Sequence, residues 1–291
     1  MADKINELVE KIKHLSETEY YQLKIEEENP EITDSKIGGL PYWIEGKDFP
    51  TDEEGNKLYL LAQINFEKEK TSAPLPEKGL LQFFIADNDI MGVDYDDQIT
   101  QKNFRIVYHE NIDTAITKEF MEELGIKSSE EAENHPVKGE HKISLTKNKD
   151  YATVNDYRFS KIFVQAYKEI YGKEIKSEEK YYNILNDKDT EILEKGLLMN
   201  PNSACHKMLG YAFFTQEDPR YDKKYEDYDT LLLQLDSDGY DGDIIIWGDV
   251  GVANFFMKKK ALEEKDFSDV IYNWDCVFVA SLSLKQCKGM S

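Results

Sequence analysis

Cysteine is scarce in this chain: Cys205, Cys276 and Cys287 are the only three in 291 residues. The number is odd and no two stand in a CxxC spacing, so neither a disulfide framework nor a thiolate zinc site is expected. Cys205 precedes His206, but adjacent side chains on an extended segment point to opposite faces, which argues against a nucleophile and its base. Long apolar runs are missing too. The longest candidates, around Leu80 to Ala86 and Ile244 to Trp247, are strand-sized, well short of the ~20 residues that span a bilayer. No membrane contact is expected. The opening Met1-Ala2-Asp3-Lys4-Ile5-Asn6-Glu7 lacks the apolar core and small-residue cleavage site of a secretory signal. A reducing cytoplasm is the expected location.

Positive charge is in deficit. Against 58 Asp and Glu stand 36 Lys and Arg, a net charge of −22 with a pI near 4.7. Phosphate backbones would be repelled, since nucleic-acid affinity comes from Lys and Arg releasing counterions, so no nucleic-acid partner is expected. Such acidity solvates a surface and suits electrostatic capture of a basic protein. Walker, GxGxxG, HExxH and GxSxG motifs are all absent, so nucleotide, zinc-protease and serine-hydrolase readings have no motif behind them.

What the chain does hold is one pattern stated twice. Gly39-Leu40-Pro41-Tyr42-Trp43, Leu58 to Asn65 and Gly79 to Ile85 are echoed by Gly210-Tyr211-Ala212-Phe213-Phe214, Thr230 to Asp236 and Gly251 to Met257. Gly39 to Gln63 and Gly210 to Gln234 are both separations of 24 (63 − 39 and 234 − 210). The spacing predicts an internal duplication in which two copies of one supersecondary unit share a core. With 40% hydrophobic and 12% aromatic residues, a packed interior is well supplied.

Local patterns fill in the rest. Ile5, Leu8, Val9, Ile12 and Leu15 predict an amphipathic N-terminal helix, and Glu26 to Pro30 a loop. A short extended piece is expected around Tyr42 to Ile44. Strands are expected at Leu58 to Asn65, Gly79 to Ala86, Phe104 to His109, Lys142 to Thr146, Thr230 to Leu235, Ile244 to Trp247, Ala253 to Met257 and Tyr272 to Leu284. Thr117 reads as an N-cap for Lys118 to Leu124, with Gly125 as its stop. Phe159 to Ile170 forms the clearest helix, ended by Gly172, and shorter helices are read at 177–186, 189–195 and 260–265. The expected fold is α+β: two pseudo-repeated, mostly antiparallel β units sharing one core, with an N-terminal helix and a helical insertion between the copies. One compact domain spans 1–291, with copies near 36–110 and 205–284 and the insertion near 114–198.

Lys36-Ile37-Gly38-Gly39-Leu40-Pro41, Leu61 to Asn65, Gly79 to Phe84, His206 to Tyr211, Leu232 to Asp238, Trp247 to Gly251 and Lys265 to Ser268 together resemble the YwqG-like family of bacterial proteins of unknown function. The resemblance runs from Lys36 through Cys276. It implies a cytoplasmic bacterial protein of α+β fold and carries no catalytic residues. Ala212 departs from the proline that the family tends to place after Gly-Tyr, which bears on the local turn alone.

Residues repeated in both copies serve what the copies share. Gln63 and Gln234 sit inside apolar strands and read as buried, satisfied amides, or as the lining of a shared pocket. Gly79 and Gly251 read as turn glycines ahead of a strand. Residues found once are better functional candidates: Trp247, which alternatively belongs to the core; Asp249, which alternatively caps a turn; and His206, which alternatively is structural. The run Asp236-Ser237-Asp238-Gly239-Tyr240-Asp241-Gly242-Asp243 has the carboxylate spacing that would wrap calcium, though it is no EF-hand, and its default reading is a solvated turn. Otherwise no cofactor is expected. Asp87, Asp89, Asp94, Asp96 and Asp97 form a second acidic loop. The leading expectation is a non-enzymatic binding module whose acidic, Tyr-rich face takes a cationic protein. The alternative is a carboxylate-based or metal-dependent hydrolase using Asp236, Asp238, Asp249 and His206 in the cleft between the copies.

Overall fold

The computed structural model describes residues 2–176, 179–198, 204–238 and 244–276. In chain order these form α1 (Ala2–Ser16), β1 (Thr18–Ile25), β2 (Lys36–Gly38), β3 (Tyr59–Asn65), β4 (Leu80–Ile85) and β5 (Phe104–His109). Then come α2 (Lys118–Glu123), β6 (Glu140–Asp150), α3 (Phe159–Tyr171), α4 (Tyr181–Ile184), α5 (Asp187–Leu198) and β7 (Lys207–Leu209). The chain continues through β8 (Thr230–Asp236), β9 (Val252–Met257), α6 (Lys259–Glu263) and β10 (Val270–Asp275). The ten strands make one sheet in the order β10-β9-β8-β7-β1-β6-β2-β3-β4-β5, antiparallel throughout.

The order reads alike from both edges. At its centre Lys24 of β1 faces Ser144 of β6, and registers on either side of that pair correspond. Lys36 pairs with Gln63 and Lys207 with Gln234. The β3–β4 register shifts between Leu60 and Ala62, and the β8–β9 register between Leu231 and Leu233. Ile143 donates its N–H to Ser35 O at 3.0 Å, and Leu23 donates to His206 O at 2.9 Å. The half built from β2–β5 is thus completed by β6, while the half built from β7–β10 is completed by β1, from the opposite end of the chain.

The sheet curls until its edges nearly meet. Phe104 of β5 lies 5.3 Å from Tyr272 of β10, and Phe83 lies 5.1 Å from Phe255. The 86–103 segment covers the β10 edge: Tyr272 N–H donates to Gln98 O at 3.0 Å and Trp274 Nε1 to Ile90 O at 2.8 Å. Covering an edge this way satisfies backbone groups that would otherwise template aggregation. Inside the curl, Leu81, Phe83 and Ile85 of one half pack in one cluster with Ala253, Phe255 and Met257 of the other. The alternate residues face outward into separate clusters, Leu80 and Phe84 with Trp43 and Met121, and Phe256 and Ile271 with Phe214 and Tyr228. These strands are buried on both faces, which is why they read as continuous apolar runs rather than alternating ones.

Helices form the remaining layer. Ile5, Leu8 and Ile12 of α1 pack against Phe159, Phe163 and Ala166 of α3 and Leu193 of α5. Gly172 ends α3 in the left-handed conformation at φ 68, where glycine carries no Cβ penalty. Thr117 caps α2 as expected, accepting from Phe120 N. Gly251 earns its place by close approach: a Cβ there would lie 2.0 Å from Asp275 O.

Some expectations are corrected. Thr18–Ile25 is a central strand absent from the expected set, and the extended piece near Tyr42 is preceded by the actual short strand, Lys36–Gly38. Ile244 to Trp247 is no strand: it contributes an isolated bridge, Ile245 to Val137. β6 lies within the stretch read as a helical insertion. Beyond Cys276, the expected closing β segment lies outside the described residues.

Candidate functional site

The two glutamines anchor matching clamps. Gln63 Oε1 accepts Tyr42 N–H at 3.1 Å, and Gln82 Nε2 donates to Tyr42 O at 2.8 Å. Across the sheet Gln234 Oε1 accepts Phe213 N–H at 2.7 Å, and Asn254 Nδ2 donates to Phe213 O at 3.1 Å. Both halves therefore hold the two backbone groups of one residue between buried amides. Gln63 Nε2 also donates to Ile32 O and Asp34 O, each at 2.9 Å, and Gln234 Nε2 to Cys205 O at 2.8 Å. All four amides are buried, and their bonds replace water lost on burial, except at Asn254 Oδ1, which is buried without a partner.

His206 corresponds to Ser35 rather than standing alone. Its Nδ1 accepts the N–H of Asp236 at 3.1 Å, which places the ring proton of the neutral form on Nε2. Burial holds its pKa down to about 4. Burial also lifts the Asp236 carboxyl to about 6, partly offset by Lys207. The two carboxylate oxygens of Asp238 accept the N–H groups of Ile244 at 2.7 Å and Ile245 at 3.1 Å. Asp241 and Asp243 lie outside the described residues. Trp247 is buried in the shared core, 6.2 Å from Trp274, and Asp249 is exposed on a turn. The Cys205 thiol is pushed up to about 11, chiefly by burial, so little thiolate exists near neutral pH. Cys276 is disulfide-bonded, against the expectation for this cysteine count.

The clefts on the described surface open elsewhere. One of about 370 Å³ is lined by Tyr95, Glu217, Asp222, Trp274 and Asp275 among others. A neighbour of about 410 Å³ is lined by Phe159, Tyr181 and Tyr182. The two share Gln216, Glu217, Asp218 and Tyr221, and so form one continuous groove. Tyr182 and Tyr221, at 55% and 41%, are the exposed large hydrophobic side chains of the described residues. Asp275 is nearly buried and accepts from Thr215 N and Oγ1 at 3.0 and 2.6 Å and from Gln216 N at 3.2 Å. Burial raises its pKa despite these bonds.

Beneath the groove lie two pairs that sequence reasoning missed. Asp156 grips Arg158 with bonds from Nε and Nη2, both 2.8 Å, and Asp218 grips Arg220 in the same way at 2.9 and 2.8 Å. Arg220 Nη2 reaches Asp156 at 3.3 Å and links the pairs, while its guanidinium lies 4.0 Å over Phe256 and 4.5 Å over Tyr157. The available signal was a repeated Asp-x-Arg, Asp156-Tyr157-Arg158 and Asp218-Pro219-Arg220. Bidentate pairing and stacking fix the floor of the groove.

The chain belongs to the family described as "Domain of unknown function (DUF1963)", whose model matches residues 35–276. No curated protein matches it.

Proposed function

We propose that this protein is a binding module built from two copies of one β unit, a YwqG-like member of its family, which captures a cationic protein segment in the groove around Tyr221. The observation that carries this reading is the exposure of Tyr182 and Tyr221 beside Glu217 and Asp222. Exposed tyrosines offer contact area at low entropic cost, and rings beside carboxylates suit Lys and Arg side chains through cation–π and charge contacts. Lys180 already rests 5.2 Å over the Tyr221 ring, an internal instance of the contact a partner would make. Net charge of −22 would steer a basic partner inward.

The test is fluorescence anisotropy with a labelled oligo-arginine peptide across a salt series. Binding should weaken at least about tenfold from low to physiological salt, as the Debye length contracts to about 8 Å. Tyr221→Ala and Asp222→Asn should each weaken it further at fixed salt. Affinity indifferent to salt and to both substitutions rejects the groove.

A second reading, a carboxylate hydrolase, draws on the Asp236 carboxyl at about 6, in the range of a general acid. Calcium at the Asp236–Asp243 loop belongs with that reading. A thermal shift on adding calcium, lost in Asp236→Asn, would favour it over the binding module.

A further inference from the structure

Two junctions between the halves correspond, yet only one is closed by backbone pairing. At the first, the loop ahead of β9 meets the chain entering β6. Lys138 N–H donates to Ile244 O at 2.8 Å, Ile246 N–H donates to Pro136 O at 2.9 Å, and Val137 bridges Ile245 between them. At the second, the corresponding segments are Ser72 to Pro74, ahead of β4, and Ser16 to Thr18, where α1 gives way to β1. Pro74 stands where Ile246 stands and has no N–H to donate. Ser16 is committed to the helical layer, its hydroxyl donating to Ile12 O at 2.7 Å and accepting Ala152 N–H at 3.1 Å. Side chains alone span this junction, Tyr21 Oη to Ser72 Oγ at 2.9 Å. What remains is a cleft of about 410 Å³, with Pro74, Arg158, Leu209, Tyr211 and Lys259 on its walls.

The walls carry donors left to use. A guanidinium has five N–H groups. In Arg158, Nε and Nη2 serve Asp156 and Nη1 serves Asp229 O at 3.1 Å, which leaves two. The ring of Tyr211, 4.7 Å away, holds its plane. Lys259, exposed at the rim, adds an ammonium with three donors. The carboxylates of the cleft are each bonded through one oxygen. Glu19 pairs with Lys147 at 2.7 Å, and Asp229 Oδ1 accepts Thr230 Oγ1 at 3.0 Å and Lys259 N–H at 2.9 Å.

We propose that this open junction binds a small anionic ligand, a carboxylate or phosphate on an aromatic or apolar body. The anion takes the spare donors of Arg158 and Lys259, and the body lies against Tyr211, Leu209 and Pro74. The volume is within the roughly 300–1,000 Å³ of small-molecule sites. The acidity of the whole chain does not forbid an anion here. Exposed charges further off than about 8 Å are largely screened at physiological salt, so the lining decides: Arg158 and Lys259 against Asp229 and Glu19, the last paired with Lys147. The cleft shares no lining residue with the acidic groove, although Arg158 and Arg220 both bond Asp156.

Isothermal titration of the full chain with benzoate and with phenyl phosphate tests this, with uncharged benzyl alcohol as control. Saturable binding is expected from at least one anion and not from the alcohol. Preference between the two distinguishes a carboxylate from a phosphate. Lys259→Glu should weaken binding at least about tenfold and Ser72→Trp, which fills the cleft, should abolish it. Oligo-arginine binding should be unchanged in both. Lys259 is exposed, so that variant keeps the test valid even if Ser72→Trp folds poorly. Neither anion saturating below about 5 mM, equal binding by the alcohol, or undiminished binding in Lys259→Glu would overturn the proposal.

Discussion

Ser35 and His206 cap corresponding backbone groups: Ser35 Oγ accepts the N–H of Asn65 at 3.0 Å, and His206 Nδ1 accepts that of Asp236 at 3.1 Å. One half thus shows what the other needs at this position, a neutral acceptor. His206→Ser should therefore fold. It should also change the pH response. The folded-state pKa of His206 is depressed to about 4 from 6.5, so its contribution is present above the unfolded value and lost as pH falls from about 6.5 to 4. Urea midpoints at pH 7 and pH 5 should lie closer together in His206→Ser, by the work of up to one proton. An unchanged gap would mean that His206 protonates freely in the fold.

Asp236, which donates that N–H, carries the opposite sign. Its folded pKa is raised from 3.8 to about 6, chiefly by burial. Its contribution is complete below about 3.8 and lost as pH rises through 6. Asp236→Asn should raise the melting temperature at pH 7–8 and leave it nearly unaltered near pH 4. A uniform loss at every pH would show that the carboxylate makes a needed contact instead.

The sequence disclosed strands whose burial is two-sided and hid those defined by distant partners. Apart from the buried amides, β3, β4, β8 and β9 are largely apolar because both faces meet a core. β1 reads Thr-Glu-Tyr-Tyr-Gln-Leu-Lys-Ile: Tyr21, Leu23 and Ile25 alternate towards the shared core, but adjacent buried tyrosines break the pattern, and its place is set by β6 and β7, more than a hundred residues away. Ile244 to Trp247 has strand composition but meets only Val137. Gln63 and Gln234 were legible as paired amides from spacing alone. Gln82 and Asn254, which complete the clamps, were not, because the match is between unlike residues. Tyr95, Tyr182, Tyr221 and Asp275 are scattered along the chain, and only the curl of the sheet gathers their groove.

Gln63→Leu would orphan several buried groups at once. Tyr42 N–H, Ile32 O, Asp34 O and Gln82 Nε2, which also donates to Gln63 Oε1 at 2.8 Å, would each lose a partner. A buried polar group without a partner costs about 1–3 kcal/mol, so a loss of at least about 3 kcal/mol is expected from denaturant titration. A loss under about 1 kcal/mol would mean that water enters and replaces the amide.

Lys36 provides the sharpest test of how the first half is tied to β6. It is fully buried, pairs with Glu140 at 2.7 Å and donates to Leu40 O. Burial lowers its pKa, and Glu140 opposes that shift. Lys207 repeats the arrangement with Asp150 at 3.0 Å, the acid this time coming from the far end of β6. Removing one partner of a buried pair costs about 3–5 kcal/mol, whereas replacing both with apolar groups is often near neutral. Lys36→Met should be strongly destabilising. Lys36→Met with Glu140→Leu should recover less than that rule suggests, because Glu140 also holds Lys118 at 2.6 Å. Adding Lys118→Met should then cost little further stability. If the double variant recovers fully, Lys118 contributes nothing to the network, and the pair acts alone in fastening β2 to β6.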